Sequence, residues 1–308
     1  MEIYQLRYFL AVAETGNFTK AAGRVFVSQP SLSQQILNLE EEVGQKLFHR
    51  MARKVVLTDA GLKLLETARR VLSEVDQTLQ ELKESTGLGP KVAVGAIPTV
   101  ASFFFPAVIA HCRANEIPLV IQTQEDFRRP LTEAVLEGHL DWALISVPFN
   151  EPRLHFEKLY SEPLWVAMSA HHRLAQVGNL TFDALRDENF ILLGEASTLT
   201  LQIQHFCGDA DFEPRISHRC GQLATAKSLT ALGLGITVLP RSARSATDPE
   251  GLIFRKFSGP VQPSRDIALV RHRRRHLGRG AQVFADVARA VVGPIASTTT
   301  SAPFKSGS

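Results

Sequence analysis

Cysteine is scarce: Cys112, Cys207 and Cys220 are three in 308 residues, an odd number with no CxxC pair. That excludes a disulfide framework and a cysteine-rich metal knuckle and agrees with a reducing compartment; each thiol reads as a small buried hydrophobe. Long apolar runs are missing, and no stretch reaches the roughly 20 residues a membrane helix needs. The opening MEIYQLRYFLAVAE carries acids where a secretory signal carries bases. The expected location is cytoplasmic, with no membrane partner. An excess of one charge is also lacking, with 34 Lys and Arg against 31 Asp and Glu. The net +3 neither demands nor excludes nucleic acid, because a small DNA-binding domain can be diluted by a larger neutral one. No GxSxG, HExxH or phosphate-cradling loop is present. His171-His172 has no third ligand at a sensible spacing, and His218 alternating with Cys220 is an equally poor metal pair. No metal and no cofactor is expected. The run Arg271–His276 reads as a solvated basic turn.

What is present is a sharply patterned N-terminus. Ile3, Leu6, Phe9, Leu10 and Ala13 recur at helical spacing, and Gly16-Asn17 ends that helix. A short second helix, with Thr19 as its cap, carries Ala21, Ala22, Val25 and Phe26. A third begins at Ser28 or Gln29, with Pro30 tolerated in its first turn. Leu32, Ile36, Leu39 and Val43 form its apolar face, so Gln29, Ser33, Gln34 and Asn38 point elsewhere. Two short helices joined by about four residues, the second opening with amides and hydroxyls, make a helix-turn-helix with a recognition helix. Gln and Asn amides can pair with adenine edges; Ser serves bases or phosphates. Short extended pieces follow, with Arg50, Arg53 and Lys54 in the basic turn between them. That turn reads as a wing with charges for phosphate oxygens.

Thr58 caps a long helix on which Leu65, Ala68, Leu72, Val75, Leu79 and Leu82 alternate at +3 and +4. The seam reads as a dimer contact, against the alternative of packing on the same chain. Thr86–Pro90 breaks the helix. Beyond it strands and helices alternate, which implies α/β architecture with parallel-rich sheets and helices on both faces. The expected strands are Lys91–Ile97, Leu119–Thr123, Trp142–Val147, Leu164–Met168, Phe190–Leu193, Ile216–Cys220, Ile236–Leu239, Leu252–Phe257 and Asp266–Val270. The expected helices are Ala101–Ala114, Leu131–Gly138, Leu199–Cys207, Leu223–Leu232 and Gly280–Val291. Four regions follow: a head over 1–58, a linker helix over 59–89, a sensor over 90–296 and a small polar tail over 297–308 expected to be disordered.

The block from Phe18-Thr19-Lys20-Ala21-Ala22 through Val27-Ser28-Gln29-Pro30-Ser31-Leu32-Ser33-Gln34-Gln35-Ile36, with Leu39-Glu40, Gly44, Leu47-Phe48, Arg50, Leu57-Thr58 and Gly61, resembles the signature of the LysR-type transcriptional regulators. The resemblance implies a winged head, an antiparallel linker-helix dimer that commonly becomes a tetramer, and a two-lobed sensor like the periplasmic binding proteins. Lobe I would span about 90–162 and 266–296, and lobe II about 163–265. It implies promoter DNA as partner, RNA polymerase as a candidate one, and a small-molecule co-inducer. DNA contacts would fall at Ser28, Gln29, Pro30, Ser31, Ser33, Gln34, Arg50 and Arg53. Leu37 departs from the pattern, standing where members often carry a polar side chain. The stretches Gly95–Thr99 and Ile191–Thr198, ending in His205-Phe206-Cys207, are similar to the peroxide-sensing branch. That resemblance puts the branch's reactive cysteine at Thr198 and its disulfide partner at Cys207. Threonine forms no thiolate, so a bound metabolite is the expected input.

Ligands of two-lobed sheets sit at strand C-termini and helix N-termini. Pro98, Thr99 and Ser102 in lobe I, Ser197 and Thr198 in lobe II, Ser146 at a strand end and Thr225 at a helix start are the candidates; the alternative is that these hydroxyls only cap helices. An enzyme built on the α/β half and a ligand-independent architectural protein remain open beside the ligand-gated regulator.

Overall fold

The computed structural model describes residues 1–50, 54–83, 89–258 and 262–297. Arg53, the chain after Ser297 and the side chains of Arg50 and Leu82 lie outside the described residues. The chain divides into two compact units, one built on the N-terminal 87 residues and one on most of the remainder.

In the N-terminal unit α1 (Ile3–Thr15), α2 (Phe18–Arg24) and α3 (Gln29–Val43) close on one apolar cluster around Phe9, Leu32, Ile36, Leu39 and Leu47. Gly16, at φ +60, ends α1 in the left-handed conformation a glycine takes without penalty. Asn17 caps α2 by accepting from the Lys20 N–H at 3.0 Å, a role the sequence pattern gave to Thr19. Ser28 caps α3, and Pro30 sits in its first turn. Ala21 and Ala22 are buried where α2 meets its neighbours, so the two helices approach closely.

Two apolar assignments differ. Phe26 is not on a helix face: α2 ends at Arg24, and the turn holds Phe26 at φ +57 with its ring 94% exposed. Val43 also faces solvent, because α3 ends there and its last buried position is Glu40. Strands β1 (Phe48–Arg50) and β2 (Val55–Leu57) pair antiparallel to form the wing.

Helix α4 (Asp59–Lys83) is 25 residues long, about 37 Å. Thr58 caps it, accepting from Gly61 N at 3.0 Å while donating to the Lys46 carbonyl at 2.6 Å. Gly61 is needed for closeness: a Cβ there would lie 2.2 Å from the Leu47 carbonyl oxygen. The apolar seam splits in two along this helix. Ala68 and Leu72 are buried in the head's own core with Leu65 packed beside them, so the first half belongs to the same chain. Val75 is half-buried and Leu79 is 46% exposed.

The C-terminal unit is a mixed structure rather than a parallel-rich one. Strands β3 (Lys91–Ala96), β4 (Val120–Glu125) and β5 (Trp142–Val147) pair parallel, with α5 (Pro98–Ala114) and α6 (Arg128–Glu137) as their crossovers. β7 (Asn189–Leu193) and β8 (Arg215–Cys220) also pair parallel, across α7 (Thr198–Asp209). Every other pairing in this unit's ladders is antiparallel, through β6 (Leu154–Ser169), β9 (Thr237–Pro240), β10 (Leu252–Lys256) and β11 (Ser264–His272). Helices α8 (Leu223–Ala231) and α9 (Arg279–Ser297) complete it.

Strand β6 is 16 residues, far longer than the Leu164–Met168 core of its apolar pattern. Its first part, to Pro163, pairs with β11, and from Leu164 it pairs with β9 and β10. One strand therefore serves two sheets, and the half-polar first part hides from a search for apolar runs. Strand β11 is likewise longer than expected, and α5 starts at Pro98 rather than Ala101. α9 runs to Ser297, past the expected end at Val291 and into the first residue of the segment expected to be disordered.

Candidate functional sites

The start of α3 presents an exposed polar face. Ser28, Gln29, Pro30, Ser31 and Gln34 are exposed and Ser33 half-buried, while Leu32, Ile36 and Leu39 on the opposite face are fully buried. The amides are held in pairs one turn apart: Gln29 donates to Ser33 Oγ at 2.8 Å, and Gln34 to Asn38 Oδ1 at 3.0 Å. A glutamine amide that donates in this way still has its oxygen as an acceptor, which an adenine N6 amino group requires. Thr19 and Lys54 are exposed as well.

Glu40, part of the signature block but given no role by the sequence, ties this helix to the wing. Its side chain is buried, with Oε1 accepting from Leu47 N at 2.9 Å and Phe48 N at 3.3 Å and Oε2 from Lys46 at 2.9 Å. Burial pushes this carboxyl's pKa up, but the hydrogen bonds from Lys46, Leu47 and Phe48 outweigh it and leave the value below 4.5. The negative charge thus fixes where the wing leaves the recognition helix.

In the C-terminal unit a narrow cavity opens between the first turns of α5 and α7. Thr99, Arg128, Ser197 and Thr198 give its polar wall, and Ile97, Phe127, Leu193 and Leu223 its apolar one. Its free volume is on the order of one water molecule. Pro98 lines it too, so four of the seven sequence candidates come together: Pro98, Thr99, Ser197 and Thr198. Three do not. Ser102 is exposed one turn farther along α5, and Thr225 is exposed beyond Leu223 because α8 begins two residues earlier than that threonine. The Ser146 hydroxyl is buried and accepts from Gln202 Nε2 at 3.2 Å, so it bridges β5 to α7 instead of lining the cavity.

Behind Thr99 lies a buried ion pair that sequence reasoning missed. Arg265 is buried and donates to Glu162 at 2.9 Å, to Thr99 Oγ1 at 2.6 Å and to the Thr99 carbonyl at 3.0 Å. The other oxygen of Glu162 accepts from Ser242 N at 3.2 Å. Glu162 lies on β6 next to the point where its pairing changes, and Arg265 faces it on β11. The knot therefore joins the cavity wall at Thr99 to both long strands and to the segment after β9.

The thiols are out of play. Cys207 is fully buried and its pKa is pushed up to about 12 by burial; burial raises Cys112 and Cys220 as well. None is a thiolate near neutral pH. Among the described residues no cluster of three His, Cys, Asp or Glu could hold a metal ion, and no helix is long and apolar enough to cross a membrane.

Comparison with known proteins bears on both units. Residues 3–62 match the bacterial regulatory helix-turn-helix protein family, lysR type, and residues 85–293 match the LysR substrate binding domain. The chain is a LysR-family transcriptional regulator. It is 33% identical to a hydrogen peroxide-inducible genes activator of Pectobacterium carotovorum, covering 88% of this chain and 90% of that protein. It is 34% identical to the regulator AlsR of Bacillus subtilis over 79% of this chain and 82% of that one. A full-length OxyR variant from Pseudomonas aeruginosa has the same fold, with a TM-score of 0.72 at 28% identity over 98% of this chain and 99% of that one. As a LysR-family regulator the chain combines a DNA-binding helix-turn-helix with an effector-binding domain of two α/β lobes.

Proposed function

We propose that this LysR-family regulator reads promoter DNA with Gln29, Ser33 and Gln34, holds the duplex backbone with Thr19, Ser28, Ser31, Arg50, Arg53 and Lys54, and is switched by a small molecule in the cavity between its lobes. The observation that carries the DNA reading is the division of α3, with its apolar residues wholly buried and its amides at the surface. Pro30 fixes the first turn of that helix and brings its N–H groups toward a phosphate. Residues 1–58 act as the head, 59–89 as the linker and 90–296 as the sensor, with the lobes dividing near 162 and 265. The chain acts in the cytoplasm, without enzymatic activity of its own and without a cofactor, and RNA polymerase is the partner through which bound protein acts.

Self-association is assigned to the distal half of α4, with tetramers built from dimers. Val75 and Leu79, continued by Leu82 in the sequence, are apolar and unclaimed by the head, unlike Leu65 and Leu72. Leu79→Lys is expected to separate the dimer while leaving the head folded, read by sedimentation and circular dichroism. A variant that remains a dimer removes the seam from the interface.

The peroxide response of the related activators is not carried over, since Thr198 supplies no thiolate and Cys207 is buried. The test is electrophoretic mobility and footprinting of the DNA upstream of the gene, with candidate metabolites and with peroxide. The reading requires a footprint that changes with a metabolite and ignores peroxide. A footprint altered by peroxide in a Cys207-dependent way, or one that no metabolite changes, contradicts it.

A further inference from the structure

We propose that the effector is a small organic monocarboxylate, its carboxylate held by Arg128 and the Thr99, Ser197 and Thr198 hydroxyls and its apolar body lying on Phe127, Leu193 and Leu223. This rests on the reading of the inter-lobe cavity as the effector site and adds the charge and size of what enters it.

The first ground is hydroxyls that nothing in the protein uses. Ser197 and Thr198 are only 5% and 7% exposed, line the cavity and have no side-chain hydrogen bond among the described residues. Ser197 is the N-cap of α7, yet its side chain makes no capping bond, which removes the ordinary structural reason for a serine there. Thr99 is prepared in a complementary way. Its oxygen accepts from Arg265 at 2.6 Å, so its own O–H proton remains to be donated.

The second ground is independent of these helix ends. Arg128 lines the same cavity, and no carboxylate in the described residues forms an ion pair with it. Its guanidinium lies 4.8 Å from the Phe149 ring centre and makes one long bond, 3.4 Å, to the Pro148 carbonyl. Burial pushes its pKa down, the signature of a cation that has lost water without gaining an anion. It is the one charged residue of the wall, so the site balances a single negative charge. Arg265 is not a second, since Glu162 already neutralises it. With donors gathered on one side and apolar side chains on the other, the complementary molecule is a carboxylate with a short apolar body. Because the present free space is about one water, the acid enters as the lobes part, and closing around it is the ligand's differential interaction with one lobe arrangement.

The experiment uses the full chain and matched pairs of probes: acetate, butyrate and benzoate against acetamide, butyramide and benzamide, with inorganic phosphate alongside. Binding is read by isothermal titration and by the shift in thermal midpoint. The expected result is that at least one carboxylate binds, its amide and phosphate do not, and Arg128→Gln weakens that carboxylate at least tenfold. Thr198→Val should weaken it severalfold, and Thr198→Trp, which fills the cavity, should abolish it; circular dichroism and DNA binding of each variant report that it has folded. Equal binding of acid and amide, an unchanged affinity in Arg128→Gln, preference for phosphate, or no carboxylate binding overturns the proposal. The variants also separate which part fails. Amide binding that Thr198→Trp abolishes refutes the charge and leaves the cavity as the effector site, whereas carboxylate binding that survives Thr198→Trp refutes the cavity.

Discussion

Arg265→Ala is expected to cost the C-terminal unit about 3–5 kcal/mol, the scale for removing one partner of a buried ion pair. The loss has two parts. Glu162 keeps only the Ser242 N–H as a direct partner in the knot, and the Thr99 carbonyl and hydroxyl oxygen lose their buried donors. Chemical denaturation of the full chain measures it. Because Arg265 also sets the Thr99 hydroxyl in the cavity wall, the response of DNA binding to an effector should fall even at temperatures where the variant stays folded. The double replacement Arg265→Met with Glu162→Leu removes both charges and should regain much of the stability, though not the effector response. A single variant that loses less than about 1 kcal/mol would mean that water or another group already solvates the pair.

The second large effect is expected at Glu40. Glu40→Ala removes the acceptor for two buried backbone N–H groups and should destabilise the head by about 3 kcal/mol. The Lys46 contact adds little, since that ammonium is largely exposed. The wing would lose its fixed origin, so affinity should fall on all DNA sequences alike. A pH dependence follows with a definite sign. The folded pKa of Glu40 lies below its ordinary 4.5, so its contribution is complete above that value and is lost as pH falls through the folded value. Acid unfolding of the head, followed by circular dichroism, should therefore begin below about pH 4.5 and be blunted in Glu40→Gln. A head whose stability ignores Glu40→Ala would remove the clamp from the account.

What the sequence made legible and what it hid differ by the range of the interaction. The head is written in local signals: the +3 and +4 spacing of Leu32, Ile36 and Leu39, a serine at an N-cap, a proline in a first turn, a glycine closing α1. These depend on neighbours within a turn or two, so they survive reading in one dimension. Phe26 and Val43 were misplaced because an apolar residue at a helix end looks like one at its middle. The seam on α4 has a single period but two fates, since Leu72 is buried in the head's core and Leu79 is exposed, and periodicity carries no information about the partner.

In the sensor, Pro98, Thr99, Ser197 and Thr198 follow from a single rule, that ligands sit at strand C-termini and helix N-termini. Ser146 obeyed the same rule and was claimed instead by Gln202, 56 residues away. Arg265 and Glu162 are 103 residues apart, and each sits in the polar part of its strand, just before the apolar run that marks it. Arg128 opens a helix whose apolar part starts only at Leu131, so nothing marks it until the fold brings it to the cavity. Charged residues that act by long-range pairing, or by lacking a pair, have no local signature. Arg129, the neighbour of Arg128, pairs with Glu133 one turn on, whereas Arg128 has no carboxylate partner among the described residues.

In the proposed division of labour the exposed start of α3 reads sequence while the wing supplies affinity. The direct test measures binding of the wild-type chain, Gln29→Ala, Ser33→Ala and Lys54→Ala to the upstream operator and to random duplex of equal length, at two salt concentrations. Gln29→Ala and Ser33→Ala should lower operator affinity by about tenfold, with random binding unchanged. Lys54→Ala should weaken both duplexes equally and lower the salt slope by about one. If all three variants weaken operator and random DNA by the same factor, α3 is not the reading element and the account is contradicted.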